Sequence, residues 1–223
     1  MRKNKEKTGS RQLKKKVLKL LNQEDIEAIC QFPARQVVNP LFSFFYSGDD
    51  IIKWRAVTAM GAVVSNLAEN DMESARVIMR RLLWNLNDES GGIGWGSPEA
   101  MGEIMARNKK LAGEYHTILI SYIREDGNYI EHEILQRGVL WGLGRLAHAR
   151  SDIMTNAAPF LIPYMKSDDP YLRGLAAWTA SALNAEVTKP WLDHLAGDTE
   201  KIAIFIDNQL VERSVCECVM RDA

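Results

Sequence analysis

The sequence predicts an all-α fold, an α-solenoid (superhelix) of stacked helical hairpins with a small C-terminal β-hairpin. Three observations carry this. Apolar residues recur at helical spacing through almost the whole chain. Related segments return about every 40 residues. Near the C-terminus the period switches to two around a turn-forming pair.

Leu13, Val17, Leu18, Leu20 and Leu21 share one helical face, so a helix is expected from Leu13 to Leu21. Pro33 suits the first turn of the next helix. Pro40 falls inside that helical pattern, where a proline kinks or splits it. Ser47–Asn70 reads as a long helix opened by acids. Asp71–Leu86 reads as a second, whose acidic start suits the helix dipole. Ser97 is a good N-cap and Pro98 a good first helical residue for a helix reaching about Arg107. Helices follow over Lys109–Glu125, Tyr129–His148, Asp152–Lys166 (interrupted by Pro159 and Pro163) and Ser167–Glu186, with a short one from about Pro190.

Lys201–Ile206 and Leu210–Val215 alternate apolar and polar residues around Asp207-Asn208, which predicts a hairpin. A lone hairpin is marginal in water, so it is expected to pack on the last helices or on a partner. The organisation read from this is a basic, disordered tail over residues 1–12, a solenoid over 13–196, and a hairpin with a short helix packed on the solenoid over 197–223.

WRAVTAMG (Trp54–Gly61) aligns with WGSPEAMG (Trp95–Gly102), and RGVLWGLG (Arg137–Gly144) is a third copy. SGDDIIKWRAV (Ser47–Val57) pairs with SDDPYLRGLAA (Ser167–Ala177), which sets Arg55 against Arg173. Two helices of this size cannot bury their apolar faces alone, and stacked neighbours make the core continuous. Glycine inside a helix costs about 0.5–1 kcal/mol relative to alanine, so Gly61, Gly102 and Gly144 are expected to have a packing reason.

SDDPYLRGLAAWTASAL, with Asp168, Asp169, Pro170, Leu172, Arg173, Ala176 and Ala177, resembles a HEAT repeat. The likeness is strongest to the short HEAT-like type of phycobilisome lyases and many bacterial proteins. Asp49, Asp50, Trp54, Arg55 and Ala59 fit the same pattern without its proline. The resemblance covers roughly residues 35–186 in pieces. It implies an α-solenoid and most often a protein-binding scaffold, and it implies no reaction.

Composition narrows the classes. A hydrophobic fraction of 46% and a charged fraction of 26% are those of a globular protein. No run approaches the roughly 18 apolar residues of a membrane span. Three cysteines, Cys30, Cys216 and Cys218, suit a reducing compartment, and a cytoplasmic location is expected. Residues 1–19 hold nine Lys/Arg against Glu6 alone, a net of +8, which leaves −9 for the rest of a chain whose total is −1. Such a basic segment suits contact with nucleic acid or anionic lipid, and equally a solvated terminus. The acidic body opposes nucleic-acid binding, which stays a second alternative by likeness to HEAT-like DNA glycosylases, with Arg76, Arg80 and Arg81 as a local patch.

The stretch NDESGGIGWGSPEAMGEIM (Asn87–Met105) packs four glycines into six residues around Trp95. No Lys follows the glycines, and Asp88, Glu89 and Glu99 would repel a phosphate. It reads as a joint between repeats and as a recognition edge, with Trp95 either buried or partner-facing. The leading expectation is a non-enzymatic protein–protein interaction scaffold without a cofactor. Its partner-facing residues would be Asp88, Glu89, Trp95, Glu99, Glu103, Glu131, His132, Gln136 and Arg137. The alternative is a metal-dependent enzyme. Glu99 and Glu103 share a helix face, and His116 and His132 come from the helices that follow. HEAT-like deoxyhypusine hydroxylases use several His-Glu pairs, whereas this chain has one, His132-Glu133.

Overall fold

Polar caps mark where the long helices begin, in the computed structural model that describes residues 2–87 and 94–220, with side chains from residue 9. Asp49 accepts from the Ile51 and Ile52 amides at the start of α4 (Asp50–Asn70). Asp169 accepts from the Tyr171 amide at the start of α10 (Pro170–Leu183). Both capping aspartates donate their own amide to a serine two residues earlier, Ser47 and Ser167, at 3.2 Å in each case. These turns are the same device 120 residues apart, and they set Lys53, not Arg55, opposite Arg173. Arg55 instead donates to the Leu21 and Asn22 carbonyls and to Glu24.

Twelve α-helices lie among the described residues. An outer layer holds α3 (Ala34–Phe44), α5 (Met72–Asn87), α7 (Lys109–Ser121) and α9 (Ala158–Met165). Each is followed by its inner partner: α4, α6 (Ser97–Arg107), α8 (Glu133–Ala149) and α10. The inner helices pack in series, α4 on α6, α6 on α8 and α8 on α10. The series is extended by α2 (Ile26–Cys30) before α4 and by α12 (Val215–Val219) after α10. Helix α1 (Arg2–Asn22) packs on α2, α3 and α4, and α11 (Lys189–Leu195) on α9, α10 and α12. The inner helices begin at residues 50, 97, 133 and 170, so the repeat steps are 47, 36 and 37. No helix among the described residues is long and apolar enough to cross a membrane.

Close approach in the inner layer rests on glycine. A Cβ on Gly61 would overlap Glu103. One on Gly102 would overlap the Gly142 backbone, and one on Gly144 the Trp178 ring. Each therefore meets the next inner helix, which is the packing reason expected of all three.

Several boundaries differ from the sequence reading. Helix α1 begins at Arg2, before the expected Leu13, in a segment rich in helix-forming Lys, Arg and Gln. Helix α3 runs through a buried Pro40 without a break. The cap of α6 is Gly96, not Ser97, because residue 96 takes φ +75° directly against Phe45, where only glycine fits. Ser97 becomes the first helical residue, buried, with no partner for its hydroxyl among the described residues. Helix α8 starts at Glu133, since Ile130 first pairs its amide with the Tyr122 carbonyl. The 152–166 segment forms two single 3-10 turns, Ser151–Ile153 and Thr155–Ala157, before α9. The glycine loop at residues 88–93 lies outside the described residues.

The C-terminal hairpin pairs β1 (Lys201–Ile206) with β2 (Gln209–Ser214), from Lys201 opposite Ser214 to Ile206 opposite Gln209. Asp207 and Asn208 turn at φ +50° and +62°, the two-residue geometry that matches strand twist. Ile202, Ile204 and Phe205 are buried, and Ile202 fits against α10 where Gly174 leaves room.

Gly102→Ala should lower stability by about 1–3 kcal/mol through overpacking, measured by urea unfolding. Gly113→Ala is the control: it lies within α7 with nothing near its Cβ, so the same change should add about 0.5–1 kcal/mol. Equal effects at the two glycines would remove the close-approach argument.

Candidate functional site

The hairpin lies across the inner helices and is fixed there by aromatic rings. Phe205 stacks on Trp54 of α4 with ring centroids 5.0 Å apart and planes 4° from parallel. Trp141 of α8 packs against Trp54 at 4.6 Å and donates its indole N–H to the Phe205 carbonyl at 2.9 Å. This cluster separates two cavities. One lies toward the helix starts, the other toward their C-terminal halves, and Trp141 lines both.

The first cavity, about 240 Å³, includes Lys53, Trp54, Glu99, Arg137, Tyr171 and Leu210 in its wall. Glu99 sits in the first turn of α6 at 4% exposure. Its Oε1 faces the Lys53 ammonium at 3.4 Å, and its Oε2 has no donor among the described residues. Arg137 donates to Asp169 through Nε at 3.0 Å, with Nη2 at 2.9 Å, and its guanidinium lies 4.6 Å from the centre of the Tyr171 ring. That carboxylate also caps α10, so the ion pair ties α8 to the start of the next inner helix.

The second cavity, about 390 Å³, centres on Glu103, one turn further along α6 and 3% exposed. Two guanidiniums hold it, Arg107 through Nε to Oε1 at 2.5 Å and Arg145 through Nε to Oε2 at 2.6 Å. His148 stacks on Trp178 with centroids 4.7 Å apart, and both line the cavity with Phe205.

Of the residues singled out in the sequence, Glu99 and Arg137 are brought to one cavity and Glu103 to its neighbour. Trp95 is half-buried, its ring centroid 6.2 Å from that of Tyr46, and it lines neither cavity. Glu131 and His132 are exposed before α8. Gln136 is buried and ties down the preceding loop, donating to the Ile130 carbonyl at 2.7 Å and the Tyr129 hydroxyl at 3.0 Å. It lines a third cavity of about 560 Å³ with Phe160 and Tyr164, where burial, reinforced by Tyr129, pushes the Tyr164 phenol well above its ordinary range. Asp88 and Glu89 lie outside the described residues.

The four residues set aside for a metal are not brought together. Glu99 faces Lys53, Glu103 is held by two arginines, His116 bonds the Ala112 carbonyl at 2.8 Å through Nδ1, and His132 is exposed. Among the described residues, no three His, Cys, Asp or Glu side chains are placed to hold a metal ion.

Sequence reasoning missed Arg107, Arg145 and the Trp54–Phe205–Trp141 clamp. One signal was present, since Glu103 and Arg107 stand at i, i+4, the spacing of a helical ion pair. Removing either arginine leaves Glu103 one partner and should cost about 1 kcal/mol. The double change Arg107→Ala/Arg145→Ala strands a buried carboxylate and should cost about 3–5 kcal/mol, recovered in part by adding Glu103→Gln. Urea unfolding of the four variants tests this, and simple additivity of the two single changes would contradict it.

Comparison with known proteins agrees with the stacked helices. Residues 133–179, which run from α8 into α10, match the HEAT-like repeat family. An uncharacterized protein of Archaeoglobus fulgidus is 28% identical over 116 residues, 52% of this chain. The aligned stretch spans 57% of that relative's length. Residues 133–179 thus carry a HEAT-like repeat, in keeping with helix pairs packed in series and an acid-capped turn repeated 120 residues apart.

Proposed function

We propose that the protein is a cytoplasmic protein-binding scaffold whose partner docks on the inner helices beside the hairpin. HEAT-like repeats commonly serve as interaction scaffolds, and a rigid stack offers side chains from successive helices along one face. One observation carries the placement. Glu99 is buried at the first cavity with an oxygen that no donor among the described residues reaches. A buried carboxylate oxygen without a donor is costly, and an N–H donor from a partner would relieve it. Half-buried Trp54 and Tyr171 and the exposed side chain of Ile134 give that partner apolar contact at the same place. Aromatic residues with an arginine beside them form the common composition of strong binding centres.

A photo-crosslinking residue placed at Ile134 or Tyr171 should give an adduct of discrete mass in native lysate, whereas one at exposed Trp84 on the outer helix α5 should not. Arg137→Ala should weaken the captured complex about tenfold, the scale of one interface hot spot. Equal adducts from Trp84 and the groove positions would reject the placement.

A further inference from the structure

The second cavity carries a surplus of hydrogen-bond donors. One guanidinium neutralises a carboxylate, yet Glu103 holds two, so the trio keeps a net charge of +1. Both arginines engage Glu103 through Nε, and among the described residues no acceptor is bonded to their terminal amino groups. They are 36% and 32% exposed at the cavity wall. Trp178, almost fully buried in the same wall, keeps an indole N–H with no acceptor among the described residues. The Thr58 hydroxyl, also in the lining, is spent on the Trp54 carbonyl at 3.2 Å. The other carboxylate of the wall is Asp207 at the hairpin turn. It is exposed and makes no ion pair among the described residues, so water screens it.

Donors without acceptors, gathered around two guanidiniums, are the chemistry of anion recognition. The net −9 outside residues 1–19 opposes a polyanion, which leaves a ligand with a single anionic group. Trp141, Trp178 and Phe205 give the cavity an aromatic floor. We propose that this cavity binds one carboxylate or phosphate monoester carried on an aromatic ring. Its oxygens accept from the terminal amino groups of Arg107 and Arg145, and its ring lies against the tryptophans. The site goes beyond the scaffold reading, because it needs no protein partner at the Glu99 cavity.

Calorimetric titration of the full chain tests it with benzoate and phenyl phosphate, against inorganic phosphate as the bare anion and benzylamine as the cation of similar shape. One site per chain is expected for benzoate or phenyl phosphate, and the tighter of the two identifies the anion. Inorganic phosphate should bind about tenfold more weakly and benzylamine not at all. Arg107→Gln and Arg145→Gln should each weaken binding about tenfold. Asp207→Asn suits the positive φ of its turn, so it should fold normally and tighten binding about two- to threefold. No saturable binding of either aromatic anion, benzylamine binding as well, inorganic phosphate binding as tightly, or unchanged affinity in both arginine variants would each overturn the proposal. If the arginine variants fail to fold, Asp207→Asn decides, and an unchanged or weaker affinity overturns it.

Discussion

Everything on the inner face depends on how closely α6 approaches its neighbours. Where Gly102 meets Gly142, backbone lies against backbone, and no side chain larger than hydrogen fits between. That contact leaves no residue of Ser97–Ala106 exposed, including two glutamates that a solvated helix would turn to water. Buried carboxylates need partners, and the helices drawn close supply them: Lys53 from α4 for Glu99, Arg145 from α8 for Glu103. The ion pairs are thus a consequence of backbone approach. They bridge α4 to α6 and α6 to α8.

The hairpin closes this face without filling it. Its buried Phe205 is gripped by Trp54 and Trp141, which come from two helices separated in the stack by α6. The grip leaves an unfilled space on each side, and the two spaces have opposite deficits. At the helix starts, Glu99 holds an acceptor without a donor among the described residues. Further along, Arg107, Arg145 and Trp178 hold donors without acceptors among the described residues. Of these, the Glu99 oxygen and the Trp178 indole N–H are buried, and a face serving stability alone would pair them within the protein, because each unmet buried polar atom costs free energy.

The fold was legible because its signals are local and repeated. Helical periodicity, the glycines at Gly61, Gly102 and Gly144, and the Asp207-Asn208 turn each mark a structure that a few neighbouring residues decide. The site was legible only in part. Glu99, Glu103 and Arg137 stood out as charged residues near helix starts, but their partners come from other helices, and nothing local names Lys53 or Arg145 as the ones. Pairing Arg55 with Arg173 followed residue identity, whereas the shared cap turns put Lys53 at that place, since the repeat steps of 47, 36 and 37 residues blur any fixed period. Trp95 shared a motif with Trp54 but not its environment. The Gly96 turn carries the chain past Phe45 and leaves Trp95 beside Tyr46. The hairpin was expected from alternation, but its landing site depends on aromatic contacts across more than 60 residues, which no window of sequence contains.

The hairpin is also a wall of both cavities, through Ala203 and Leu210 on one side and Phe205 to Asn208 on the other. A ligand that touches it in either cavity therefore favours the docked hairpin over a detached one, by the difference in its affinity for the two. By linkage, whatever shifts a docked–detached equilibrium of the hairpin shifts that ligand's binding in the same direction, by at most the ligand's own preference for the docked form. Both cavities are lined by Trp141 and by residues of the hairpin, so a single element connects them without any wider change in the solenoid. A partner at Glu99 and an anion at Arg145 would then be coupled by position alone. Such a coupling would be positive in sign, since each ligand would favour the form with Phe205 in place.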